Sequence, residues 1–249
     1  MPQIRPVVLL TGFGPFPTVA ANATTLLVPR IAEATRRALP GITVAAHILP
    51  TEWEASLSLL DELTGQLRPA VALHFGVSAR ATGFEIEIRG RNRCTQSEDA
   101  AGRMPLDACL TRGGPEFLPA TLPAAHIVDR LRRRGLPAQI SRDAGGYLCN
   151  ALLYRSLENA RCYGTPGRSG FVHLPANLVN ERRPTLEPRQ GTRLSWDDVI
   201  EGSLEIVAAT LGRPLPATTS SRFATALNGR ATTTRAEPMA PGTRSATGY

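Results

Sequence analysis

A chain of 249 residues, 42% hydrophobic and 20% charged, is long enough to bury a full core, and its balance excludes the extended, low-complexity and collagen-like classes. The formal charge of +7 is carried entirely by arginine, but only Arg132–Arg134 forms a tight run, and part of the excess falls after Pro214, so specific nucleic-acid binding is not expected. The one apolar run near the start, Val7 to Leu10, is too short for a signal-peptide core or a bilayer span, which points to the cytoplasm and away from membrane partners.

In chain order, Arg5 to Thr11 reads as a buried strand ended by Gly12. Asn22 to Leu39 has helical periodicity and stops at Pro40-Gly41. Ile42 to Leu49 is a second strand; Thr51 is a candidate cap for a helix over Glu52 to Leu67. Ala70 to Phe75 is a third strand, ending at Gly76. Phe84 to Asn92 alternates, with Phe84, Ile86 and Ile88 on one face and Glu85, Glu87 and Arg89 on the other. Cys94 to Pro119 is rich in turn residues and reads as irregular or as a small hairpin. Thr121-Leu-Pro123 opens a helix to Arg134, stopped by Gly135. Leu136 to Ser141 is a strand, Tyr147 to Ala160 a helix, Ser169 to His173 a strand, and Trp196 to Leu211 a last helix with Ser195 as N-cap.

This alternation predicts a three-layer α/β/α domain with a twisted, mostly parallel central sheet over residues 1–213. The stretch 214–249 is Thr, Ser, Ala, Arg, Gly and Pro with little apolar periodicity, and is expected to be a disordered tail.

Ligands of such sheets gather at the carboxyl ends of the strands, so the loops there hold the candidate chemistry. These loops supply Gly12-Phe13-Gly-Pro-Phe16, Gly76-Val77, the turn Asp143-Ala-Gly-Gly-Tyr-Leu ahead of Cys149, and His173. A thiol at a helix N-terminus is favoured as thiolate, and a histidine ending a neighbouring strand can serve as its base. Taken singly, each residue has a plainer reading: Cys149 and the phenylalanines as core, His173 as a satisfied core histidine, Glu87 as solvated surface. Cysteines 94, 109, 149 and 162 show no Cys-x-x-Cys pair, and the four histidines lack ligand spacing, so neither a disulfide framework nor a metal site is expected.

Ala144-Gly-Gly-Tyr-Leu-Cys149-Asn150, and Gly170-Phe-Val-His173-Leu-Pro175 with its histidine 24 residues after the cysteine, resemble the nucleophile and histidine motifs of the pyroglutamyl peptidase I (pyrrolidone-carboxylate peptidase) family. Gly12-Phe13-Gly-Pro-Phe16 with Asn22-Ala-Thr24 is similar to the family opening, and the likeness spans about residues 5 to 212. Glu87, eleven residues after Gly76 and followed by Asn92 at the fifth position, matches the family glutamate; the competing Glu85 has neither match. The chain departs from the pattern at Pro17-Thr18, at Asn22-Ala23-Thr24, and across Arg93 to Gly102, which is one residue short and corresponds to a stretch that walls the family's substrate pocket.

The resemblance implies a cofactor-free cysteine peptidase acting on peptides with N-terminal pyroglutamate. In it Cys149 is the nucleophile, His173 the base and Glu87 the orienting acid. It also implies that Phe13 and Phe16 sandwich the lactam ring, with Tyr147 and Leu148 nearby, and that Asn22 and the backbone at Gly76-Val77 meet its polar atoms. Homo-oligomeric assembly is implied as well. The competing readings are a binding protein of the same fold without turnover, and a hydrolase of another cyclic-amide or acyl-amino substrate.

Overall fold

A computed structural model describes residues 5–15, 22–163, 167–176, 178 and 194–215. Its elements are β1 (Val7–Phe13), α1 (Ala23–Ala38), β2 (Thr43–Leu49), α2 (Trp53–Leu67), β3 (Val71–Ser78), β4 (Phe84–Glu87), β5 (Arg89–Arg91), β6 (Phe117–Pro119), α3 (Ala124–Arg133), β7 (Ala138–Ser141), α4 (Leu148–Cys162), β8 (Arg168–Pro175) and α5 (Trp196–Thr210). Six strands form one sheet in the order β2-β1-β3-β8-β4-β7; β5 and β6 form a separate antiparallel pair. Within the large sheet every neighbouring pair is parallel except β8 with β4.

The period-2 alternation of the strands divides the core between the two faces. Val8, Leu10, Leu73, Phe84, Ile86 and Val172 pack with Leu27, Ile31, Ile127, Leu131, Val199 and Ile206, so α1, α3 and α5 cover one face. Leu9, Ala72 and Phe171 pack with Leu60, Leu63, Leu152 and Leu153, so α2 and α4 cover the other. Most elements fall within three residues of the sequence reading.

Local chemistry explains their ends. Asn22 caps α1 by accepting the Thr24 N–H at 3.1 Å, and Ser195 with Asp198 forms a reciprocal capping box on α5. Thr51 does not cap α2: its hydroxyl donates to the Gly14 carbonyl, and the Asp99 carboxyl instead accepts the Trp53 N–H at 2.9 Å.

The alternating run Phe84 to Asn92 is not one strand. It breaks after Glu87, sending β4 into the central sheet and β5 against β6. The face carrying Glu85 and Glu87 is the α2/α4 face of the sheet, so Glu87 is fully buried and does not belong to a solvated surface. Most of the tail expected from residue 214 lies outside the described residues.

Candidate active site

The register of the sheet assembles the site. His173, on central strand β8, is the Cα partner of Gly76 on β3 and of Glu85 on β4. Glu87 stands two residues along β4, opposite Phe171. Directly opposed and i+2 residues share a face, so Glu85, Glu87, Phe171 and His173 all turn toward α4.

Glu87 Oε1 lies 2.8 Å from His173 Nδ1, and both side chains are buried. The other ring nitrogen is left for Cys149, whose side chain hydrogen-bonds His173. Burial works against a charged imidazole here. The charge and hydrogen bond of Cys149, followed by the hydrogen bond and charge of Glu87, outweigh it and hold His173 up at about 10. The Phe171 ring packs on the His173 ring at 4.8 Å between centroids, limiting its rotation. Phe171 escaped the sequence reading, although its place two residues before His173 on the same strand face was the available signal.

Cys149 is the second residue of α4, in the turn where backbone N–H groups have no intrahelical partner. The first helical bond from this end runs from the Ala151 N–H to the Tyr147 carbonyl, and the Tyr147 side chain makes no capping bond. The approach needs Gly145 in the left-handed region, φ +83°, a conformation that glycine adopts without strain. Gly76 clears the space for the sulfur: a Cβ there would lie 3.1 Å from Cys149 Sγ and 2.7 Å from the Phe171 ring.

The remaining candidates are placed as follows. Phe13 is buried at the end of β1, in the same apolar cluster that Tyr147 and Cys149 pack against. Leu148 is buried within that cluster, and Val77 is half-buried near the end of β3. Asn22 is buried at the start of α1; its amide donates to the Gly14 carbonyl and its oxygen accepts from Thr24, so its polar groups serve the helix start. Phe16 lies outside the described residues.

Asn150, next to Cys149, is a brace that the sequence did not reveal. Its oxygen accepts the Arg91 N–H at 2.8 Å and its amide donates to the carbonyls of Arg91 and Arg93, tying β5 to the head of α4. Among the described residues, Glu85, Glu87 and His173 have donor atoms within 4.8 Å of one another, a grouping that could hold a metal ion. Glu87 and His173 already bond each other, and Glu85 accepts from Gln139. The arrangement therefore has what proton transfer from a thiol to His173 requires: a carboxyl group, a ring held between two partners, and a sulfur at a helix mouth.

Comparison with known proteins agrees with this chemistry. The family model described as pyroglutamyl peptidase matches residues 6–188. The chain is 33% identical over 209 residues to pyrrolidone-carboxylate peptidase 1 of Ralstonia nicotianae, covering 84% of this chain and 94% of that one. It is 32% identical over 179 residues to human pyroglutamyl-peptidase 1, covering 70% and 81%. A variant pyrrolidone carboxyl peptidase of Pyrococcus furiosus superposes with a TM-score of 0.73 at 26% identity, covering 83% of this chain and 98% of that structure.

Proposed function

The chain belongs to the pyroglutamyl peptidase family, and from that membership we propose that it is a cysteine peptidase that removes N-terminal pyroglutamate from peptides, using Cys149, His173 and Glu87. The observation that carries the residue assignment is the hydrogen-bonded line from Glu87 through His173 to the Cys149 sulfur at the mouth of α4.

In this mechanism His173 takes the Cys149 proton, and the sulfur attacks the pyroglutamyl carbonyl carbon. Backbone N–H groups in the first turn of α4 stabilise the oxyanion. The tetrahedral adduct collapses as His173 gives its proton to the departing amine, leaving a thioester. Water, deprotonated by His173, then attacks that thioester and releases pyroglutamate and the thiol. Glu87 orients the ring and stabilises its charged form throughout.

Pyroglutamate is an uncharged lactam without a free amine, so it calls for an apolar slot with a few polar partners. Phe13 and Phe16 would enclose the ring, with Tyr147 and Leu148 at its side. β1 pairs with β3 only as far as His74, which leaves the β1 side of Gly76-Val77 outside that ladder and able to meet the lactam's polar atoms. Asn22 contributes by fixing the loop at Gly14. The four unpaired cysteines support a reducing, cytoplasmic setting, and the family resemblance supports a homo-oligomer. Among the described residues no helix is long and apolar enough to cross a membrane.

The test is release of a fluorophore from a pyroglutamyl amide. Turnover is expected from the unaltered protein and should be lost in Cys149→Ala, with a prolyl amide, which lacks the lactam oxygen, cleaved poorly. Equal rates with and without Cys149, or no turnover by the parent, would sink the proposal.

A further inference from the structure

The stretch 93–102, where this chain departs from its family's pattern, is docked on the turn that carries Cys149. The Thr95 N–H and hydroxyl both donate to the Gly146 carbonyl, at 2.7 and 2.9 Å. The Tyr147 hydroxyl donates to the Glu98 carbonyl at 3.2 Å. Asp99 is buried and accepts from the backbone N–H groups of Trp53, Ala101 and Arg103. Thr95, Gln96 and Glu98 are exposed and Ser97 is half-buried, so these four side chains offer no apolar anchor. Beyond Cys94, which is buried in the apolar cluster of the α2/α4 face, residues 95–99 are positioned by hydrogen bonds.

One side chain touches both the segment and the turn. Trp53, the first residue of α2, is 5% exposed. Its indole N–H donates to the Ser97 carbonyl at 3.0 Å, and its ring meets Tyr147 edge-on, with centroids 5.0 Å apart and planes at 80°. Its backbone N–H is the one that Asp99 accepts. The wall segment, the head of α2 and the residue two before Cys149 therefore converge on one indole. A shift of the 95–99 segment moves Trp53, and with it the Tyr147 ring.

We propose that Trp53 is a specificity-determining positioning residue, holding the 95–99 segment in register with the Cys149 turn so that the lactam ring is gripped; this rests on the peptidase reading above. Tryptophan suits the place because it supplies an edge for the Tyr147 ring and a donor for a backbone carbonyl at once. Phenylalanine keeps the first and loses only the second.

Trp53→Phe is therefore the informative variant. One net hydrogen bond corresponds to about fivefold in an equilibrium constant, so KM for the pyroglutamyl amide should rise about fivefold while kcat stays within about twofold. Binding of 2-pyrrolidone, the bare lactam ring, followed by calorimetry in a Cys149→Ala background, should weaken by the same factor. A merely structural role would lower Tm without moving KM or lactam binding, and that result overturns the proposal. Lactam binding equal to the parent's overturns it too, as does the absence of lactam binding to the Cys149→Ala protein. Absence of turnover by the parent condemns the peptidase reading alone, because the calorimetric comparison still judges Trp53.

Discussion

Glu87 receives no relief from solvent: it is fully buried, and its second oxygen, Oε2, has no hydrogen-bond partner among the described residues. A carboxylate kept this dry acts on what it touches, and what it touches is His173. Replacing Glu87 by Gln keeps an oxygen for the Nδ1 proton and removes the charge. The charged ring that pairs with sulfur is lost as pH rises through the His173 pKa, which is about 10 in the intact site. Without the carboxylate that pKa falls, so the alkaline limb of kcat/KM should move to lower pH, and above both pKa values activity should drop about tenfold for each unit of the fall. Glu85→Gln should leave the rate within about twofold, because Glu85 is engaged by Gln139, whose amide donates to it at 2.8 Å, while Glu87 holds the ring nitrogen. A pH–rate profile of the two variants checks the assignment. A larger effect from Glu85 would reverse it.

Helix α4 carries Cys149, the proposed nucleophile, and its direction is fixed by what grips its first turn. Asn150 is 1% exposed and bonds one N–H and two carbonyls of the Arg91–Arg93 backbone, joining α4 to β5. The amide is required as donor and acceptor together. Asp has the same shape but cannot donate to the two carbonyls when ionised. Asn150→Asp and Asn150→Ala should therefore both destabilise, each by about 2 kcal/mol or more for buried groups left unpaired, lowering Tm by about 4–8 °C. Thermal melts decide this. An Asp variant as stable as the parent would show that the brace does not depend on the amide.

Across the whole molecule the polar interior separates into parts with different duties. On the α1/α3/α5 face, Glu205, 2% exposed, is held by Arg130 at 2.8 Å and by Arg134, which also pairs with Glu201. This clamp joins α3 to α5 on the face of the sheet opposite the site. Glu205→Gln should leave two arginines short of a buried partner, costing about 3 kcal/mol and about 6–12 °C in Tm, with KM unchanged. Melting curves beside steady-state rates test that separation. Under the site, a buried chain runs from Thr11 through His74 and Ser156 to Ser169. Burial pushes His74 down to about 3, so this histidine stays neutral where His173 is charged. Desolvation acts on both rings, and only His173 has a sulfur and a carboxyl beside it to reverse the outcome.

Much of this was legible in the residues. Alternating strand and helix signals, punctuated by Gly and Pro, predicted the layered sheet, because periodicity reports burial directly. Cys149, His173 and Glu87 could be singled out as candidates because their local motifs and spacings are short-range properties of the chain. The break after Glu87 was not, since the Phe84–Asn92 alternation is the same whichever sheet a residue joins. Nor was the burial of Glu87, whose face is apolar or wet according to the helix packed on it. The bracing of the Cys149 turn by Trp53, Asp99 and Asn150 joins residues 44 to 94 positions apart. Such contacts exist only once the sheet order brings the segments together. Residue type and spacing dictated which groups could react, and packing alone set which of them meet.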